Sequence, residues 1–268
     1  MQSENERSLQ DAASRDANEP LGQFRDRFHI PTRQDGEPLI YFSGNSLGLM
    51  PRKCFEDVTA ELEAWRDLAV AGHLEGRHPW FPYHESFRES GARLVGAKPI
   101  EVVFMNTLTA NLHFLLASFY RPTADRSKIL CDSPMFPSDL YALQAQARWH
   151  RLDPDEVVQV MNLREGESTL RDDDVLQAID DQRDELALVM FSGVNYYTGQ
   201  AYDIEAISAR CQQYGITFGL DLAHAAGNLD LKLHDHGVDF AAWCTYKYGN
   251  AGPGAVAGAF VHERHAHD

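Results

Sequence analysis

Short apolar runs alternate with longer helical segments from residue 101 onward. The runs are "EVVFM" (101–105), "KILC" (128–131), "LALVMF" (186–191), "ITFGLD" (216–221) and "DFAAWC" (239–244). Segments between them have helical spacing, and "DIEAISARCQQYG" is bounded by Asp203 as a predicted N-cap and Gly215 as a predicted stop. Buried strands separated by helices predict an α/β fold with a mainly parallel sheet flanked by helices.

The first hundred residues follow a different pattern. Residues 1–38 are mostly polar and end in the turn-forming "QDGEP" (34–38). From Pro51, six apolar residues at helical spacing predict an amphipathic helix with proline in its first turn: Phe55, Val58, Leu62, Trp65, Leu68 and Ala69. We therefore predict a polar N-terminal arm over residues 1–38 and one large α/β domain over residues 39–268.

Composition narrows the choice of partners. The 268 residues carry a formal net charge of −16, which disfavours binding to nucleic acid or to anionic membranes, so a small-molecule partner is expected. The polar N-terminus lacks the apolar core of a signal peptide. Four widely spaced cysteines without a C-x-x-C pair indicate free thiols and a cytoplasmic location: Cys54, Cys131, Cys211 and Cys244.

Polar residues follow the predicted strands, where ligands bind in sheets of this kind. They are residues 106–109, residues 133–139, Ser192, Asp221 with His224, and Lys247. Pyridoxal phosphate needs an amine for a Schiff base, an acid on its pyridine nitrogen and donors for its phosphate. These residue types are all present, so pyridoxal phosphate is the predicted cofactor.

Each of these residues also has a purely structural interpretation. Lys247 could be an exposed loop lysine, and Asp221 could cap the segment "LAHAAGN". Thr107 and Thr109 stand where a strand gives way to a helix, where they could bind phosphate or simply cap the helix. Phe136 could stack on a cofactor ring or serve only for packing.

Two further patterns are weaker. The glycines that follow Lys247 match neither a Walker loop nor a dinucleotide fingerprint, and they favour a tight turn. Histidines in "HDH" (234–236) and "HERHAH" (262–267) have spacing compatible with metal binding, but we expect them to be solvated surface residues. No metal site is predicted.

Four stretches resemble the kynureninases, pyridoxal-phosphate enzymes with the type I, aspartate-aminotransferase-like fold. They are "YFSGNSLGLMP" (41–51), "FPSD" (136–139), "FGLDLAHAAGN" (218–228) and "GVDFAAWCTYKYGNAGPGAVAGAFVHERHAH" (237–267). The resemblance runs from about residue 24 to the end of the chain. It implies hydrolysis of L-kynurenine, or its 3-hydroxy form, to anthranilate or 3-hydroxyanthranilate and L-alanine, in tryptophan catabolism and NAD biosynthesis.

The resemblance also implies roles for individual residues. Lys247 would carry the Schiff base, and Lys247 and Tyr246 would transfer protons. Ser46 and His73 would lie on the substrate side. Each also has a credible structural interpretation, Ser46 as part of a turn that leads into a helix and His73 as a polar surface residue. The family forms homodimers, which implies the same here. The implied cofactor contacts are Leu108, Thr109, Phe136, Pro137, Ser138, Asp139, Ser192, Asp221, His224, Tyr246 and Lys247.

One departure from the family concerns the C-terminal end. Kynureninases continue into a smaller C-terminal domain, which contains the arginine that binds the substrate's α-carboxylate. Here the run "GAVAGAFV" (254–261) is interpreted as a further strand of the large domain, so that domain is expected to be incomplete. A catalytically inactive fragment is one alternative. Another type I enzyme, such as a cysteine desulfurase or a class V aminotransferase, is the other.

Overall fold

A seven-stranded sheet forms the centre of the computed structural model, which describes residues 4–267. Residues 1–3 of the predicted arm and residue 268 of the predicted large domain lie outside the described residues. The strands are β1 (Val102–Phe104), β2 (Lys128–Cys131), β3 (Val158–Val160), β4 (Leu186–Ser192), β5 (Thr217–Asp221), β6 (Phe240–Trp243) and β7 (Gly258–Val261).

The strand order is β1-β7-β6-β5-β4-β2-β3. Strands β3, β2, β4, β5 and β6 are parallel to one another, whereas β7 runs antiparallel to both β6 and β1. The predicted mainly parallel α/β sheet is therefore confirmed, and the run 254–261 does contain a strand. The pattern missed β3, which is three residues long and lacks a fully buried position.

Helices cover both faces of this sheet. Asp203 caps α8 by accepting a hydrogen bond from Ala206 N (3.0 Å), and Gly215 ends it in a left-handed conformation, as predicted. The helices are α1 (Glu4–Asn18), α2 (Cys54–Leu68), α3 (Arg88–Val95), α4 (Leu108–Phe119), α5 (Pro137–Trp149), α6 (Pro154–Val157), α7 (Asp172–Asp181) and α8 (Ile204–Tyr214). Within the described residues, none of these helices has the length and hydropathy needed to cross a membrane.

The core consists of two apolar layers, one on each face of the sheet. Phe218 and Trp243 belong to the layer that includes residues of α3, α7 and α8. Phe240 belongs to the opposite layer, with Leu112 and Leu143 from α4 and α5. Because neighbouring side chains of a strand point to opposite faces, continuous apolar runs bury both faces, as parallel sheets require.

Helix α2 differs from its prediction in two ways. It begins at Cys54 and not in the turn at Pro51. Its predicted apolar face is present but lies open, because Phe55 is 69% and Trp65 is 67% exposed and none of the helix's residues is buried. No segment among residues 4–267 buries this face.

Candidate functional site

A cavity of about 130 Å³ lies at the carboxyl ends of the central parallel strands. Most of the predicted site residues meet in it. They are Leu108, Thr109, Phe136, Ser138, Ser192, Asp221, His224, Tyr246 and Lys247, joined by Thr107, Val194, Tyr196 and Ala223. Residues far apart in sequence converge because β4, β5 and β6 are adjacent and parallel, so their carboxyl ends share one edge.

Lys247 is half-buried and points its amine into this cavity. Its Nζ lies 3.0 Å from His224 Nε2 and 5.9 Å from the ring centroid of Phe136. Burial, followed by the charge of Lys247, lowers the pKa of His224. The imidazole is therefore neutral near pH 7 and can accept a hydrogen bond from Lys247 Nζ. This contact, together with the partial burial of Lys247, disagrees with an exposed loop lysine.

Two buried carboxyl groups, Asp221 in the cavity lining and Asp139 outside it, interact with each other. Asp221 ends β5 and accepts a hydrogen bond from Ala223 N (2.8 Å), so it also makes the local turn that was its structural interpretation. Asp139 is in the first turn of α5. Burial, followed by the charge of Asp221 and a hydrogen bond to it, raises the pKa of Asp139 to about 9. Asp139 therefore carries the proton at pH 7 and donates it to the Asp221 carboxylate.

The N-terminus of α4 opens onto the cavity. Thr107 is its N-cap, and its Oγ1 accepts a hydrogen bond from Ala110 N (3.3 Å). The amides of Leu108 and Thr109 are in the first helical turn, where backbone N–H groups lack intrahelical acceptors and the helix dipole favours an anion. Thr107 therefore serves as the cap, while the first turn can hold a phosphate.

Several predicted residues lie outside the cavity lining. Pro137 is the first residue of α5. Ser46, which the structure describes, is exposed in a turn where its amide donates to Ser43 O (2.9 Å). That loop still reaches the site, because Gly48 N donates to Tyr246 O (2.8 Å).

His73 is also described, and it too lies away from the cavity. It is exposed and packs edge-on against Trp80 with 5.6 Å between ring centroids. The substrate-side roles of Ser46 and His73 thus stay predictions.

Sequence reasoning missed part of the cavity wall. Tyr196 lines the cavity and meets Phe136 edge-on, with 5.1 Å between the ring centroids. Asn195 holds the turn that carries Tyr196, since its Oδ1 accepts hydrogen bonds from Tyr197 N (3.0 Å) and Thr198 N (3.1 Å). The segment "NYYTG" follows the run "LALVMF" closely, and this position after a strand is the signal that could have drawn attention to it.

The two histidine motifs also differ from expectation. His234 and His262 are half-buried and stack with 4.8 Å between centroids, beside the buried Glu101. Ligand-type atoms of these three residues lie within 4.8 Å of one another. His234 Nδ1 is 2.9 Å from Glu101 Oε1, and Arg264 N donates to His262 Nδ1 (3.1 Å). The prediction that these histidines are solvated is wrong for this pair, because they belong to a hydrogen-bonded network that joins the segments before β1 and β6 to the one after β7.

The pieces of the cavity fit pyridoxal phosphate. They comprise a half-buried amine, a buried carboxyl group, an open helix N-terminus and an aromatic ring, and the buried Asp139 outside the lining is hydrogen-bonded to that carboxyl group. Gly48, in the 41–51 loop, lies close to the lysine segment that lines the cavity. A Cβ at this position would overlap the carbonyl oxygen of Lys247. The loop therefore needs glycine there to approach the lysine segment so closely.

Comparison with known proteins agrees with this geometry. The sequence profile of the family "Aminotransferase class-V" matches residues 41–264. Kynureninase from Myxococcus xanthus is 56% identical over 252 residues, which cover 94% of this chain and 59% of that protein. Kynureninase from Koribacter versatilis is 49% identical over 257 residues, which cover 96% of this chain and 61% of that protein. The chain thus spans about three fifths of the length of these relatives.

Solved structures show the same fold at much lower sequence identity. A variant of C-DES with glycine covalently linked to its pyridoxal-phosphate cofactor superposes with a TM-score of 0.70 at 19% identity, covering 84% of this chain and 57% of that one. The matching family is pyridoxal-phosphate-dependent, which supports the predicted cofactor. The resemblance to kynureninases is confirmed by these relatives, and the chain belongs to the aminotransferase class-V family.

Proposed function

We propose that this chain provides the pyridoxal-phosphate site of a kynureninase, which hydrolyses L-kynurenine or 3-hydroxykynurenine to anthranilate or 3-hydroxyanthranilate and L-alanine. The observation that carries the proposal is the Lys247 amine, 3.0 Å from a neutral His224, in one cavity with Asp221 and the N-terminus of α4. The kynureninases that are 56% and 49% identical to this chain support the choice of reaction.

Each part of the cavity suits one part of the cofactor. Lys247 would attach it covalently, and Asp221 would hold a proton on the ring nitrogen. The amides of Leu108 and Thr109, with Tyr246, would bind the phosphate, while Phe136 would lie against the ring. When bound, pyridoxal phosphate supplies an electron sink for the charge left by removal of the substrate's α-proton.

Protons would be moved by residues that the cavity holds in place. Lys247 Nζ is in hydrogen-bond contact with the neutral His224, which would orient the amine for proton transfer to and from the substrate. Burial, followed by the neighbouring Cys244, raises the pKa of Tyr246. Its hydroxyl therefore stays protonated at neutral pH and can donate a proton to the product. Lys247 and Tyr246 are our proposed proton carriers.

Further parts of the proposal concern the substrate contacts, the assembly and the location of the protein. Ser46 and His73 would contact the substrate, with Ser138, Ser192 and the Asp139 carboxyl completing the pocket. We also propose a homodimer, which is supported by the exposed apolar side chains of α2. A cytoplasmic location is supported by the four free cysteines.

The decisive experiment labels the lysine. The purified chain is mixed with pyridoxal phosphate, reduced with borohydride and digested, and the modified peptide is mapped by mass spectrometry. We expect the label on Lys247 alone. The variant Lys247→Ala should lose it, whereas the matched control Lys232→Ala, which removes an exposed lysine, should keep it. Label scattered over surface lysines would reject the cofactor site.

Turnover separates the remaining alternatives. Release of anthranilate from kynurenine by the 268-residue chain would exclude an inactive fragment. Specific labelling of Lys247 without turnover would support a built cofactor site in a chain that is inactive as it stands. Release of sulfide from cysteine without cleavage of kynurenine would favour a cysteine desulfurase, for which only the shared fold argues.

A further inference from the structure

Asp132 is a buried carboxyl group next to the cavity that the proposed chemistry does not use. It follows β2 directly and is 0% exposed. It is not among the residues that line the cavity. Burying such a group costs free energy unless it is well hydrogen-bonded. Its hydrogen-bond partners therefore indicate its role.

Every hydrogen-bond partner that the structure gives Asp132 is a donor. Ser192 donates through its backbone N (3.3 Å) and its Oγ (2.8 Å), and Asn195 donates through Nδ2 (3.0 Å). Acceptance from three donors suits an ionised carboxylate. Burial and the nearby Asp221 raise the pKa of Asp132, and these hydrogen bonds oppose that rise.

These contacts connect two separate walls of the cavity. Asn195 Nδ2 also donates to Pro134 O (3.0 Å), two residues before Phe136. The same Asn195 holds the turn that presents Tyr196. Phe136 and Tyr196 meet edge-on from two different segments. Asp132 and Asn195 join these two segments by hydrogen bonds.

We propose that Asp132 is a positioning residue for the cofactor cavity, whose carboxylate fixes Ser192 and the 193–200 loop against the segment that carries Phe136. The inference rests on the proposed function, because it assigns Asp132 to the same site. It requires no contact between Asp132 and the cofactor or the substrate.

The test compares two buried carboxylates. Asp132→Asn keeps the shape but replaces one acceptor oxygen with an amide that cannot accept. Asp239→Asn is the matched control, since Asp239 is 7% exposed and accepts hydrogen bonds from Phe218 N (2.7 Å) and Arg264. Asp239 precedes β6 whereas Lys247 follows it, so the control lies at the other edge of the sheet. Both variants should lose stability.

Only Asp132→Asn should alter the cavity. Without cofactor, we expect at least fivefold faster hydrogen exchange in residues 133–136 and 193–200, with no such change in Asp239→Asn. With pyridoxal phosphate, we expect at least tenfold weaker binding and loss of half of the circular dichroism of the bound cofactor's absorption band. If Asp132→Asn fails to fold, Asn195→Asp tests the same link, because it removes the Nδ2 donor, and the same local changes are expected.

Two results would overturn the inference. One is unchanged exchange in both segments of the folded Asp132→Asn variant, or of Asn195→Asp if it is the variant used. The other is an equal effect of Asp132→Asn and Asp239→Asn on cofactor affinity and dichroism, which would indicate a purely structural role. Failure of the proposed function is separate: the wild-type chain would then take no label at Lys247, while the exchange measurement would still report on Asp132.

Discussion

The pairing of Asp139 with Asp221 predicts an unusual dependence of stability on pH. The folded pair holds one proton, because the pKa of Asp139 is raised to about 9 by burial and by Asp221. An unfolded aspartate has a pKa near 3.9 and has lost its proton at pH 7. Between these two values the folded state binds about one more proton than the unfolded state, so stability falls as pH rises.

Asp139→Asn removes this dependence while keeping the geometry. The asparagine amide can donate to the Asp221 carboxylate as the protonated carboxyl group does, but it does not titrate. One proton is worth about 1.36 kcal/mol per pH unit, so from pH 5 to pH 8 the wild type loses about 4 kcal/mol relative to the variant. The proton belongs to the pair, so its division between Asp139 and Asp221 does not change this sum.

Urea unfolding of the cofactor-free chain at pH 5, 6.5 and 8 measures the effect. Cofactor must be removed because a bound ligand stabilises the folded state by mass action. Asp203→Asn is the control, since asparagine and aspartate are equivalent N-caps and no pH-dependent difference is expected. The two proteins, Asp139→Asn and wild type, are compared by their free energies of unfolding. If the difference between these free energies stays constant within about 1 kcal/mol from pH 5 to pH 8, the shared proton is refuted.

Three further predictions concern other parts of the fold. Gly219→Ala should destabilise by about 1–3 kcal/mol in urea unfolding, because its Cβ would overlap the ring of Phe240, whereas Gly22→Ala has open space and should be near neutral. Thr107→Ala should lower the free energy of unfolding by about 1 kcal/mol through loss of the α4 cap, and unchanged stability would contradict that cap. The same variant should bind inorganic phosphate more weakly in a competition assay with pyridoxal phosphate. A thiol reagent at pH 8 should modify the half-buried Cys54 first, and equally fast modification of all four cysteines would contradict the burial of the others. Burial raises the pKa of the three slow thiols, Cys131, Cys211 and Cys244.

Local signals were sufficient for most of the fold. Each predicted apolar run coincides with a strand, since a buried parallel strand needs a continuous apolar stretch. The cap at Asp203 and the stop at Gly215 depend on neighbours within a few residues, so they too were predictable. Strand β3 was not, because three half-exposed residues have no distinctive periodicity.

Much of the candidate site followed from the same reasoning. Lys247 and Asp221 stand just beyond or at the ends of apolar runs, and parallel strands bring such ends to one edge. Their convergence on one cavity was therefore expected. The exposed face of α2 shows the limit of the method, because spacing predicts an apolar face but not what covers it.

Periodicity and short-range steric and hydrogen-bonding preferences were thus enough to predict the α/β class, the positions of every strand except β3, and the lysine and aspartate at the strand ends. Packing of the whole chain was needed to bring Asp139 against Asp221, to join Ser192 and Asn195 through Asp132, and to stack His234 on His262 beside Glu101. Hydrogen bonds and pKa shifts depend on distances of a few ångströms and on exclusion of water. Segments distant in the chain acquire those distances only when the sheet and its covering helices pack.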